Sequence, residues 1–185
     1  MNKCPELTET TKNTFIEAFC ELYEKTEIEK ITVKELTKKA GYSRATFYNY
    51  FCDVYDLLEY IENEFIQSLM NRITHNIERQ QPLENFVHDF VELISSKQRY
   101  INVFINGCNS AAFVNKLKHE AMPLLLTTFH ISPDNFSARY TLEFYISGLL
   151  GVLGVWLKNN QDMPMESLAI LIKEILQEGI LKQLQ

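Results

Sequence analysis

The chain has 185 residues, nearly half of them apolar, with twelve Phe and nine Tyr, so it can bury a sizeable core. Six Gly and five Pro are too few for a disordered chain or for an all-β fold with many turns. A net charge of −6 argues against a protein that coats nucleic acid with its whole surface.

Residues 1–7 read as a short tail. A helix is expected over about Thr8–Lys25, where Phe15, Phe19, Leu22 and Tyr23 form one stripe. Ile28 and Ile31 fill the corner that follows. Thr32 then opens a short helix with a T-x-x-E capping box, its hydroxyl and the Glu35 carboxylate serving each other's backbone N–H. Val33, Leu36 and Ala40 share a face. Gly41 stands where a helix needs a left-handed residue to stop, and Ser43 offers a second N-cap. Phe47 and Phe51, four apart, can pack against the Val33/Leu36/Ala40 face. Arg44, Ala45, Thr46, Tyr48 and Asn49 are left outside. A short helix with a basic, hydrogen-bonding outer surface suits the major groove of DNA, which admits an α-helix.

The charge pattern agrees. Lys30, Lys34, Lys38, Lys39 and Arg44 fall in the window Lys30–Tyr50 with a single acid, Glu35, giving +4 and leaving −10 for the remainder. A local basic patch on an acidic body is the footprint of a site-directed DNA binder. A solvated helix face would account for the lysines, but not for the caps and the turn beside them.

The stretch ITVKELTKKAGYSRATFYNYF resembles the helix-turn-helix of TetR-family transcriptional regulators, in its Ala-Gly-x-Ser turn and its Phe-Tyr-x-x-Phe ending. The resemblance implies an all-α, TetR-like fold: a three-helix DNA-binding head with the helix-turn-helix, then a C-terminal helical bundle of about six helices. The DNA-binding domain is placed at 1–52 and the ligand-binding and dimerisation domain at 53–185. In the head, Lys30, Lys34, Lys38, Lys39 and the Thr32 and Thr46 hydroxyls can hold phosphates, which sets orientation without reading sequence. Arg44 can read a guanine bidentately, Asn49 an adenine, and Ala45 or Thr46 a thymine methyl. Ser43 joins this set at the start of the second helix. Tyr48 and Tyr50 match family positions that face the DNA backbone. Two departures stand out: Tyr50 replaces a common His, and Val54 replaces a Lys that grips phosphate in relatives.

Asp53 is the expected N-cap of the next helix, with Asp56 at its third position. Its stripe is Leu58, Ile61, Phe65, Leu69, Ile73 and Ile77, and it runs to about Gln80, roughly 40 Å at 1.5 Å per residue. Gln81-Pro82 ends it. Further helices are expected over Leu83–Ser96, Arg99–Asn106 and Ala111–Phe129, the last with Pro123 marking a kink or break. Another should open at Pro133 and run to about Asn159, and the final one covers Met165–Leu184.

The segment ISGLLGVLGVWL is apolar on every side, which predicts burial all round. Gly148, Gly151 and Gly154 lie along one face, and each costs about 1 kcal/mol of helix stability relative to Ala. They therefore need a packing reason, either within the chain or between chains. The resemblance implies the second: in TetR-like proteins the last two long helices pair with their copies as a four-helix bundle. Gly148, Gly151, Val155, Leu168, Ile172 and Ile175 are the candidate contacts of such a homodimer. The resemblance also implies a pocket for a small apolar or aromatic effector. Candidate lining residues are Phe90, Tyr100, Phe104, Phe113, Tyr140, Phe144 and Trp156, each of which also reads as plain core. Arg139 and Glu143, four apart, form either a surface ion pair or the polar part of that pocket. Trp156-Leu157-Lys158-Asn159, followed by a Met-Glu-Ser-Leu helix start, resembles a subgroup that includes regulators of dihydroxyacetone kinase operons.

Other chemistries find no support. Gly148-x-x-Gly151-x-x-Gly154 sits inside a helix with the wrong spacing for a phosphate loop. His119-Glu120 is followed by Pro123 where a zinc motif needs a second His. Cys4, Cys20, Cys52 and Cys108 have no metal spacing and read as reduced thiols. No metal, cofactor or catalytic residue is expected, and the chain is not read as an enzyme. No charged-then-apolar leader opens it, and the apolar run Phe144–Leu157 is shorter than the ~20 residues that span a bilayer. A cytoplasmic location without a membrane partner is therefore expected. The reading that results is a ligand-responsive repressor, homodimeric on a near-palindromic operator in double-stranded DNA. The alternative is a DNA-bound co-activator switched by a protein partner.

Overall fold

A computed structural model describes residues 5–79, 92–93, 110–128, 130–132 and 134–178. Among the described residues there are seven α-helices, one 3₁₀ turn and no strand. They are α1 (Pro5–Tyr23), the 3₁₀ turn Ile28–Lys30, α2 (Val33–Ala40), α3 (Arg44–Tyr48), α4 (Val54–Glu78), α5 (Ser110–Thr128), α6 (Phe136–Lys158) and α7 (Met165–Glu178). The all-α expectation holds. The helices expected over 83–96 and 99–106 lie outside the described residues, apart from the helical pair 92–93.

The described residues fall into two compact units. The first reaches from α1 to Phe65; the second takes up α4 at Ile66 and holds α5 from Ala111, α6 and α7.

In the first unit α2 packs on α1 and α3. Phe15 and Phe19 of the α1 stripe are fully buried, with Ile16, Ala18 and Cys20 beside them. Ile28 and Ile31 close the corner as expected, and Leu36 is the buried side chain of the α2 face. A run of rings ties the unit together. Phe15 contacts Tyr42 and Phe47, Phe47 contacts Phe51, and Phe51 meets Tyr60 of α4, each with centroids between 5.3 and 5.6 Å apart. The Lys12 ammonium lies 4.6 Å from the centre of the Tyr60 ring, joining α1 to α4 by a cation–π contact.

In the second unit the helices start and end differently from the sequence expectation. α6 begins at Phe136, not at Pro133, because the Asn135 carboxamide caps it, accepting the Ala138 N–H at 3.1 Å. α5 runs through Pro123 to Thr128 instead of breaking there. The bond forfeited by the proline is the one to the His119 carbonyl, and both residues are exposed, so water can take its place. The turn after α6 is closed by the Trp156 indole N–H, which donates to the Met163 carbonyl at 2.8 Å.

α6 is not covered all round. Leu153 and Trp156 are its fully buried residues, while Phe136, Tyr140, Phe144 and Val155 are each at least 60% exposed. By length and composition α6 is also long and apolar enough to cross a membrane, although the apolar run within it fell short of that on sequence.

Candidate nucleic-acid interface

The first unit presents its candidate DNA-facing residues through three local caps. At the start of α2, Thr32 Oγ1 accepts the Glu35 N–H at 3.2 Å, and Glu35 Oε2 accepts the Thr32 N–H at 3.2 Å. The Thr32 hydroxyl also donates to that carboxylate at 2.8 Å. These bonds hold the Glu35 carboxyl below its ordinary pKa, the Thr32 hydroxyl being the larger cause. At the end of α2, Gly41 adopts φ 73°, ψ 21°, the left-handed geometry that suits glycine. The Gly41 and Tyr42 amides both donate to the Thr37 carbonyl. Ser43 Oγ then accepts the Thr46 N–H at 3.0 Å and starts α3.

α3 is only five residues long, so packing must hold it. Phe47 is fully buried and supplies that packing, through the rings of Phe15 and Phe51. Burying Phe47 turns Ser43, Arg44, Ala45, Tyr48 and Asn49 outward, and all five are exposed. Thr46 and Tyr50 are half-buried, with Thr46 Oγ1 2.9 Å from Ser43 Oγ and the Tyr50 ring against Phe51. On α2, Thr32, Lys34, Lys38 and Lys39 are exposed. All eleven residues expected to face DNA thus lie in one unit, between Thr32 and Tyr50.

The cations of this surface are not equivalent. Lys39 Nζ lies 2.6 Å from Glu21 Oε2 of α1, and Lys30 Nζ lies 2.7 Å from Glu27 Oε2. Among the described residues, Lys38 and Arg44 form no ion pair. The Glu21 contact spans eighteen positions, so no local pattern could have revealed it.

The start of α4 differs from the α2 and α3 caps in having a carboxylate, Asp53, at the N-cap itself. Asp53 Oδ1 accepts the Tyr55 and Asp56 amides at 2.8 and 2.9 Å, and Asp56 Oδ2 accepts the Cys52 amide at 2.7 Å. Two carboxylates therefore occupy amides that could otherwise face an anion. Val54 is 6% exposed and belongs to the core.

Residues 81–178, more than half of the chain, match the family model for the TetR-type transcriptional regulator C-terminal region. The chain belongs to the TetR family of transcriptional regulators. Solved structures of similar fold agree with the regulator along nearly its whole length. The fatty acid degradation regulator FadR from Bacillus halodurans is 15% identical with a TM-score of 0.71, covering 97% of this chain and 98% of its own. A TerR/AcrR-family transcriptional regulator from Aquifex aeolicus VF5 is 19% identical with a TM-score of 0.70, covering 92% and 99%. The dihydroxyacetone kinase operon activator DhaS is 16% identical with a TM-score of 0.62, covering 92% and 96%. At these identities the likeness is one of fold. No curated protein sequence matches this one.

The remaining candidate residues of this TetR-family regulator that are described lie in its second unit. Phe90, Tyr100 and Phe104 lie outside the described residues. Phe113 is buried on α5, whereas Arg139, Tyr140, Glu143 and Phe144 are exposed on α6. Glu143 is held by Lys118 of α5 at 2.6 Å, not by Arg139. The same ammonium reaches Ser147 Oγ at 2.7 Å, and the Ser147 hydroxyl donates to Glu143 at 3.2 Å. The Lys118 bond is the larger cause that keeps the Glu143 carboxyl below its ordinary pKa. Of the candidate dimer contacts, Gly148, Gly151 and Val155 are exposed, Leu168 and Ile172 are buried within the chain, and Ile175 is half-buried.

Proposed function

We propose that this regulator is a homodimeric, ligand-responsive repressor that reads a near-palindromic operator. Residues 1–52 carry DNA recognition and 53–185 carry assembly and effector response. The observation that carries the reading is the burial of Phe47, which turns Arg44, Ala45, Tyr48 and Asn49 outward on a helix capped by Ser43. Arg44 reads guanine, Asn49 adenine, and Ala45 or Thr46 a thymine methyl. Thr32, Lys34 and Lys38 approach phosphates, Lys39 lies beside them in its pair with Glu21, and Tyr48 and Tyr50 flank them.

The dimer reading draws support from α6. A Cβ built on Gly148, Gly151 or Gly154 meets no atom within 4 Å, so among the described residues no packing accounts for the three glycines. A second copy laid along Gly148, Gly151 and Val155 would account for them, because small residues let two helices approach closely. Such a dimer presents two α3 helices to half-sites in successive major grooves. The apolar length of α6 then serves a partner subunit in the cytoplasm instead of a bilayer.

Selection of duplexes from random DNA, with sedimentation of the free protein, tests the reading. A palindromic consensus and a dimer are expected; no consensus or a strict monomer overturns it. Release of the selected duplex by a small aromatic compound alone supports a ligand-responsive repressor. The exposed Phe136 and Tyr140 favour the second reading, a DNA-bound co-activator switched by a protein partner, in which the partner joins the selected duplex and no small compound releases it.

A further inference from the structure

Two of the five cations in the basic window are held by carboxylates. Glu21 of α1 binds Lys39 at 2.6 Å and Glu27 binds Lys30 at 2.7 Å. With these acids included, the net charge of the surface falls from +4 to +2. Both pairs are substantially exposed, with side-chain exposures of 36% or more, and exposed pairs of this kind add little to a fold. Their effect on a phosphate backbone is larger. Sequence-independent affinity grows with the number of phosphates that free cations neutralise. A lysine bound by a carboxylate must exchange that partner for the phosphate, and the carboxylate left behind repels it.

We infer that Glu21 is a specificity-determining residue, which holds Lys39 away from phosphate and so lowers the regulator's affinity for unrelated DNA. A non-specific complex has no fixed register and exploits whichever cations are free. In the specific complex the base contacts of α3 set the register, and the Glu21–Lys39 pair stays closed. The inference rests on the DNA-binding reading above.

The test compares the full-length wild type with Glu21→Gln on two duplexes, one selected from random DNA and one scrambled, across a salt series. Glu21→Gln should bind the scrambled duplex about fivefold more tightly at 0.1 M salt and steepen its salt slope by about one, the contribution of one extra neutralised phosphate. The selected duplex should gain less, so the ratio of the two affinities falls. Adding Lys39→Ala to Glu21→Gln should remove the gain, and circular dichroism should report an unchanged fold for both variants. An unchanged salt slope, weaker binding, or equal tightening on both duplexes overturns the role of Glu21 while leaving the DNA-binding reading in place. Selection of no duplex by the wild type overturns both.

Discussion

Phe47 stands edge-on to Phe15, with ring centroids 5.3 Å apart and planes at 89°. That contact joins a five-residue helix to the buried stripe of α1, and it does so from the middle of the surface proposed to read DNA. Phe47→Ala should therefore cost about 3–5 kcal/mol, the usual range for emptying a buried aromatic site. Chemical denaturation measures that loss, and binding to the selected duplex should disappear with it. Retained stability would mean that α3 is held by its cap alone.

Arg44 and Lys38 should separate the two parts of recognition. Both are exposed, and neither forms an ion pair among the described residues. Arg44→Ala is expected to cost about 1–3 kcal/mol and to relax specificity at one base pair. Lys38→Ala should weaken all duplexes alike and lower the salt slope by about one. Anisotropy titrations on single-base operator variants distinguish the outcomes, and equal losses for both mutants on every duplex would contradict the division.

Gly151 is exposed on α6, and a Cβ there meets nothing within 4 Å inside the chain. If the face is free, Gly151→Ala should stabilise the helix by up to about 1 kcal/mol and change nothing else. If a second subunit lies on it, Gly151→Leu should shift sedimentation towards monomer while helix content stays the same. An undiminished dimer in Gly151→Leu would move the interface off this face.

The Lys118–Glu143 bond predicts a pH dependence. Lys118 lowers the folded-state pKa of Glu143, so the bond contributes in full above the ordinary value of 4.5 and is lost as pH falls through the depressed one. Melting temperatures of wild type and Glu143→Gln should therefore differ at neutral pH and converge on acidification below about pH 4.5. A constant difference across that range would show that the bond does not titrate with folding.

The helix-turn-helix was legible because its signals are local. Thr32 with Glu35, Gly41 and Ser43 with Thr46 act within three or four residues of one another, and each cap forms where the spacing placed it. The acidic cap of α4 follows the same rule, with Asp53 and Asp56 three apart. Asn135 is legible in the same way, yet Pro133 reads as the helix start, because a proline's preference for the first turn says nothing about which neighbour completes the cap.

Local spacing and periodicity determined the helices of the head, the caps, the turn glycine and the ring at Phe47 that faces inward, and the resemblance of the helix-turn-helix implied the all-α class. Tertiary structure decided the partners of the charges and the cover of the apolar faces. Spacing proposed Arg139 for Glu143, but Lys118, twenty-five positions away, holds it. The lysines of the basic window look alike in sequence, but in the fold Glu21 pairs with Lys39. The segment ISGLLGVLGVWL reads as apolar on every side, yet Leu153 and Trp156 are buried while Gly148, Gly151 and Val155 are exposed. Contacts within a turn or a cap are set by a few backbone dihedrals and so by neighbouring residues. Contacts between helices depend on which faces meet, and that is settled only when the whole core packs.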